Sequence, residues 1–248
     1  MSEARSTRAV VVGASRGFGR GIAEALVEAG ADVYALSRTD SSDLVRATGV
    51  RIHAMTVDAT DPAAPARVLR EVKPNVVVLN AGATPTVGSI QEQTWDAFSA
   101  VWNTDVKIAF HWTKAILEKP LEAGSTVVTL SSAAALRGSP LSGGYAGAKA
   151  MIRLLTEYAA QEAARLKLGI RFATLLPMIT PEGGVGRQFV DAYARRQGRT
   201  VEQFLGGPPL TAAAVGAAVL RLLRDRSLDE QVAFLLDRNG LSPLKQAA

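Results

Sequence analysis

Tyr145 and Lys149 stand four residues apart in the stretch SSAAALRGSPLSGGYAGAKA, at the start of a helical pattern, and that spacing puts both on one helix face. An ammonium held beside a phenol stabilises the phenolate, so such a tyrosine can exchange a proton near neutral pH. A pair of this kind is common in helices and carries little by itself. Here a hydroxyl joins it: Ser132 ends the preceding strand, where it can orient a carbonyl toward the tyrosine. The three together define a site that gives or takes a proton at a carbonyl or alcohol oxygen.

Near the other end of the chain, VVGASRGFGR places Gly13, Gly17 and Gly19 on a turn between a strand and a helix. A pyrophosphate approaches backbone amides at a helix N-terminus, where the unpaired N–H groups and the helix dipole favour anions and side chains would obstruct. The spacing, Gly-x3-Gly-x-Gly, departs from the generic dinucleotide fingerprint, so the weight rests on the strand before and the helix after. At the end of the second strand, an acidic residue would pair with ribose hydroxyls and repel an added phosphate. This chain has Ser37 and Arg38 there instead, and Arg16 in the glycine turn offers a second guanidinium. Forked donors suit phosphate, so NADP(H) is favoured and NAD(H) stays possible.

Short β-rich runs that alternate with helical patterns would position these groups, which is the pattern of βαβ units in a parallel sheet. The expected strands are Ala9–Val12, Asp32–Leu36, Ile52–Val57, Val76–Leu79, Thr126–Leu130, Arg171–Leu176 and Val232–Leu236. They are mostly apolar, as strands covered on both faces should be. Helical patterns cover Gly17–Glu28, Pro62–Arg70, Trp95–Leu117, Gly144–Leu166 and Ala212–Arg224. The reading is α/β: one Rossmann-like, doubly wound domain over 1–248, with a parallel seven-stranded sheet and helices on both faces. Residues 178–209, punctuated by glycine and proline, interrupt the alternation and read as a lid over the substrate.

Composition narrows the classes further. The 248 residues are 48% hydrophobic and 21% charged, close to the globular average. There is no cysteine and there are two histidines, His53 and His111, so no disulfide framework and no metal site are expected. No apolar run approaches the roughly 18 residues of a membrane span, and the start, MSEARSTRAVVVG, lacks a signal sequence. A soluble, cytoplasmic protein is expected. The net charge of +5 raises nucleic acid as a partner. The basic groups Arg195–Arg196–Arg199 and Arg221–Arg224–Arg226, however, have the spacing of solvated helix faces and no interleaved aromatics.

Taken together, the motifs resemble those of the short-chain dehydrogenase/reductase family, in its single-domain branch, over nearly the whole chain. VVGASRGFG is similar to the family's cofactor turn, Asp58 in TVDATD to its adenine contact, and Asn80-Ala81-Gly82 to the end of its fourth strand. Ser132, Tyr145 and Lys149 match its catalytic triad, and VAFLLDRNG its final strand. The resemblance implies hydride transfer between a nicotinamide and a small-molecule carbonyl or alcohol. Tyr145 would move the proton, Lys149 would bind the nicotinamide ribose and lower the tyrosine pKa, and Ser132 would hold the carbonyl. It implies cofactor contacts from Gly13, Ser15, Arg16, Gly17, Phe18 and Gly19, from Ser37 and Arg38, and from Asp58 and Ala59. Further contacts are implied from Asn80, Ala81 and Gly82, from Tyr145 and Lys149, and from Pro177, Met178 and Thr180. A homodimer or homotetramer is implied, with His111 and Trp112 in packing roles.

Two positions depart from the family pattern. The family places an asparagine in the helix after the fourth strand; aligning back from Phe110 puts Asp105 there, while counting forward from Trp95 lands near Asn103. The stretch DVKIAF favours Asp105, which joins the catalytic set and brings a carboxylate to Lys149. After the sixth strand the family's Pro-Gly is Pro177-Met178 here, which restricts the backbone and adds a flexible apolar side chain to the pocket. Phe189, Tyr193 and Phe204 would give the lid an apolar inner surface suited to a hydrophobic or aromatic carbonyl compound. These departures leave one alternative, a protein of the same fold that senses NADP(H) without turning it over.

Overall fold

The computed structural model describes residues 6–39, 42–48, 51–182 and 185–244. Along the chain come β1 (Arg8–Val12), α1 (Gly17–Glu28), β2 (Asp32–Ser37), α2 (Ser42–Thr48), β3 (Ile52–Thr56), α3 (Ala64–Val72) and β4 (Val76–Leu79). A 3-10 turn, Ile90–Glu92, leads to α4 (Trp95–Val101), a π-helical turn (Trp102–Val106) and α5 (Lys107–Glu118). Then follow β5 (Thr126–Leu130), α6 (Ala134–Arg137), α7 (Gly144–Arg165), β6 (Arg171–Pro177), α8 (Gly186–Arg196) and α9 (Val201–Leu205). The last elements are α10 (Ala212–Arg224), β7 (Ala233–Asp237) and β8 (Gly240–Pro243). The first residues of MSEARST and part of the 178–209 segment lie outside the described residues.

The strands form one sheet in the order β3-β2-β1-β4-β5-β6-β7-β8. Strands β1 to β7 run parallel, and the order reverses between β1 and β4, which opens a crevice at the carboxyl ends of these two strands. Strand periodicity divides the apolar residues between two cores. Ala9, Val11, Val76, Val78, Val128 and Leu175 face one side with α1 and α10, while Val10, Val12, Val77, Leu79, Val127 and Phe172 face the other with α3, α5 and α7. On the first side α1 and α10 lie close because glycine meets backbone: a Cβ on Gly21 would fall 2.4 Å from the Ala212 carbonyl oxygen, and one on Gly216 would fall 2.5 Å from that of Gly21.

The expected seven strands are present, and the sheet has an eighth. The turn after Asp237 reverses the chain through Arg238 and Asn239, with the Asn239 amide donating to Asp237 Oδ1 at 2.7 Å, and β8 pairs antiparallel with β7. Its residues, GLSP, are weak strand formers that pair only because β7 offers an edge. The expected helix over Trp95–Leu117 is also interrupted, since the π turn inserts extra backbone between α4 and α5.

Candidate active site

The glycine turn is fixed by contacts that leave no room for side chains. Gly13 and Ala14 donate their amides to the Leu36 carbonyl at 2.7 and 3.1 Å, tying the turn to β2. Asn80 Nδ2 donates to the Gly13 carbonyl at 2.8 Å, tying it to β4. Gly13 sits at φ 85°, and a Cβ there would lie 2.6 Å from Ala81; one on Gly19 would lie 2.0 Å from the Gly13 carbonyl oxygen. No side chain caps the first turn of α1, whose preceding residue, Arg16, is extended. Those amides therefore face the cleft as an anion cradle.

A cleft of about 1100 Å³ starts at this cradle and is lined by Ser15, Arg16, Phe18, Ser37, Arg38, Asp58 and Ala59 at one end. The Ser37 hydroxyl donates to the Thr39 carbonyl. Asp58 Oδ1 accepts from the Thr60 hydroxyl and amide at 2.7 and 2.9 Å. These two bonds, helped by the nearby charges of Arg38 and Lys107, hold the Asp58 carboxyl below its ordinary pKa against a smaller effect of burial. Gly17 and Gly19 open α1 behind the turn and are not among the residues that line the cleft, whereas Asn80, Ala81 and Gly82 do line it.

The same cleft continues to Ser132, Tyr145, Lys149 and Asp105. Helix α7 supplies the tyrosine and lysine from its first two turns. Its start presses against α4, where a Cβ on Gly144 would lie 1.9 Å from the Phe98 carbonyl oxygen. Lys149 is buried and its Nζ reaches Asp105 Oδ2 at 3.1 Å and the Leu130 carbonyl at 3.2 Å. Ser131, next to the expected Ser132, donates to the Lys149 carbonyl at 2.7 Å and anchors the helix to β5. Lys149 Nζ lies 5.7 Å from the centre of the Tyr145 ring. Burial draws the Lys149 pKa down, but the Asp105 carboxylate, with help from Tyr145, outweighs it and raises the net value.

Asp105 occupies the π turn and is 2% exposed. Its Oδ1 accepts the Ala83 amide at 2.7 Å, and Gly82 must lack a side chain, since a Cβ there would fall 2.5 Å from Asp105 Oδ2. Asn103, the other register, only reaches Ser99 Oγ at 3.4 Å. Ser132 Oγ accepts the Ala134 amide at 3.2 Å, which leaves its hydrogen free to donate.

Past β6, Pro177, Met178 and Thr180 line the cleft. Met178 donates its amide to the Leu236 carbonyl at 2.8 Å, and its side chain is 42% exposed. Thr180 is buried; its hydroxyl donates to the Leu210 carbonyl at 2.7 Å and accepts from the Glu182 amide at 3.4 Å. Helix α8 crosses the cleft, fastened by Gln188 Nε2 to the Pro85 carbonyl at 2.9 Å and by a hydroxyl contact between Tyr193 and Ser139. Two cleft residues were not legible as such in the sequence. Arg196 belongs to a group that reads as a solvated helix face, and Arg137 lies on the short helix α6, which has no periodicity to betray it. Trp112 is fully buried inside this chain, its Nε1 donating to the Ala59 carbonyl at 3.4 Å, and His111 stands edge-on to Phe110. His53 stacks on Tyr34 at 4.7 Å on the sheet edge.

A glycine cradle at the switch point of a doubly wound sheet, open to a cleft with a buried lysine, defines a dinucleotide-binding type of α/β protein. The family model for short chain dehydrogenase matches residues 7–188, and the chain belongs to that family. Versicolorin reductase 1 of Aspergillus parasiticus is 32% identical over 155 residues, a match that spans 58% of this chain and 59% of that relative's length. L-xylulose reductase of Bos taurus is 29% identical over 180 residues, spanning 71% of this chain and 73% of the relative. Among solved structures, a short-chain dehydrogenase from Streptomyces avermitilis superimposes with a TM-score of 0.75 at 28% identity, covering 96% of this chain and 90% of that one. One from Burkholderia cenocepacia, solved in complex with NADP, gives 0.77 at 26% identity, covering 93% and 96%.

Proposed function

We propose that this chain is an NADP-dependent reductase or dehydrogenase that moves hydride between the nicotinamide and a carbonyl or alcohol, in one domain with 178–209 as a lid over the substrate. The observation that carries the reading is a single cleft running from the amide cradle of α1, past Arg38, to Tyr145 with Lys149 buried beside it on Asp105. The residues fit the cofactor: Gly13 and Gly19 leave no side chain in the turn that would hold a pyrophosphate, Arg16 and Arg38 line the same end of the cleft and would hold a 2′-phosphate, and Asp58 there would contact the adenine. The NADP in the Burkholderia cenocepacia relative and the reductase names of the curated relatives support it.

When bound, the nicotinamide supplies or accepts the hydride, and the protein supplies alignment and a proton. Ser132, its oxygen already accepting from Ala134, donates its hydrogen to the substrate oxygen. Tyr145 gives its proton to that oxygen as it becomes an alkoxide, or takes one from an alcohol in reverse. Lys149 holds its charge next to the tyrosine because Asp105 compensates its burial. Its charge reaches the phenol weakened by the carboxylate, which distinguishes this relay from one built on a neutral amide. Met178 and Ile179, both partly exposed, give the substrate end an apolar floor.

The test is NADPH consumption across a panel of ketones, with Tyr145→Phe alongside the parent chain. Turnover that falls by about two to four orders of magnitude in the variant, with NADPH binding retained, is the expected result. A sensor of the same fold would bind NADPH and show no rate to lose.

A further inference from the structure

Beyond Tyr145 the cleft continues along a wall of rings. The Phe189 ring centre lies 5.3 Å from that of Tyr145, Tyr193 lies 6.4 Å further on, and Phe204 6.0 Å beyond it. The planes of the last three depart from parallel by only 15° and 13°. Rings stacked on one another in this way form a rigid apolar wall, which suits an aromatic substrate better than a flexible chain.

Two cations stand where the wall ends. Arg137 precedes Ser139, whose hydroxyl meets Tyr193, and Arg196 lies one helical turn past Tyr193 on α8. Both line the cleft, both are exposed, and neither makes an ion pair among the described residues. Glu92 feels the charge of Arg196 but is itself held by the Ser89 hydroxyl and amide. The carboxylates of the cleft are engaged elsewhere: Asp58 on Thr60, Asp105 on Lys149, and Glu182 on the Ala212 amide at 3.1 Å. Arg38 follows β2 and Arg16 follows β1, whereas Arg137 follows β5 and Arg196 follows β6, so β4 lies in the sheet between the strands that carry the two sets of cations.

We infer that the substrate is an extended aromatic ketone with an anionic group, a carboxylate or a phosphate ester, at the end away from its carbonyl, and that Arg137 and Arg196 bind this group. The inference rests on the reductase reading of the cleft. Paired forked donors suit an oxyanion, and ion pairs at an exposed rim are individually weak, so the two act together to set preference.

The experiment compares an acetylnaphthoate, an acetylnaphthyl phosphate and neutral acetylnaphthalene on the full chain. It measures kcat/KM with NADPH and, separately, binding by calorimetry in the presence of NADP. One anionic ketone should be preferred over the neutral one by about tenfold or more, expressed in KM and in binding. The preference should collapse in the double variant Arg137→Gln, Arg196→Gln and persist in part in the double lysine variant. NADPH affinity and the unfolding midpoint report whether the variants remain folded. Which anion wins assigns the group as carboxylate or phosphate. Reduction of all three ketones at equal kcat/KM, or a preference that survives the double glutamine substitution, overturns the inference and leaves the reductase reading standing. Binding preference for the anions with no turnover of any ketone overturns the reductase reading instead.

Discussion

Lys149 carries its charge inside the protein on the strength of one carboxylate. Its folded pKa lies above the unfolded value, so the Lys149 proton contributes stability that is present below the unfolded value and is lost as pH rises through the folded one. Asp105→Ala leaves the ammonium buried and unpaired and should cost about 3–5 kcal/mol, read by urea unfolding. Asp105→Asn keeps the shape but removes the charge, so burial then draws the lysine pKa down. The alkaline limb of the kcat/KM profile should move to lower pH, and an unmoved limb would remove Asp105 from the relay. For Arg38, alanine should weaken NADPH far more than NADH, by about 1.5–3 kcal/mol in a fluorescence titration. Equal loss for both would defeat the NADP assignment. At this scale the sequence named Ser132, Tyr145 and Lys149 because their spacing is local. Its choice of Asp105 over Asn103 came from the stretch DVKIAF and not from counting forward from Trp95, because such a count assumes uniform turns and the π turn breaks it. Arg137 and Arg196 went unread because cleft membership comes from the way distant segments meet around the cleft, not from their neighbours in the chain.

Elements were read as well as their periodicity allowed. The seven expected strands are mostly apolar runs, as strands covered on both faces should be, so their positions followed from the sequence, and alternate residues then serve the two cores. Strand β8 is not such a run and is defined by its partner. Helix α1 shows what composition hides: Gly21 is a poor helix former that stays because α10 lies against it. Gly216→Ala gains roughly 1 kcal/mol in helix propensity. It also drives a Cβ to 2.5 Å from the Gly21 carbonyl oxygen and 2.8 Å from the Ala25 Cβ. Overpacking of about 1–3 kcal/mol should win, so thermal unfolding should come at a lower midpoint, and a higher midpoint would mean that the two helices can part.

Across the whole molecule the apolar surface is unevenly spread. Trp95, Trp102 and Phe110 on α4, the π turn and α5, and Tyr158 on α7, are 75%, 47%, 48% and 51% exposed. We propose that these residues serve the homodimer or homotetramer that the resemblance implies, while Trp112, expected nearby, belongs to the core of its own subunit. Trp102→Glu combined with Phe110→Glu should shift the chain to monomers in analytical ultracentrifugation without loss of fold, and an unchanged sedimentation coefficient would place any interface elsewhere. No described helix is long and apolar enough to cross a membrane.

The π turn has a hereditary meaning. Excising one residue from Trp102–Val106 would return the π turn to ordinary α-helix while α4 and α5 keep nearly the same orientation, so the change falls on the directions of the side chains inside the turn. Asp105 would then lose its alignment with Lys149 although no side chain in the cleft had been exchanged. The relay thus depends on one codon's worth of surplus backbone, gained or lost in a single genetic event that leaves the chemical alphabet of the helix unaltered.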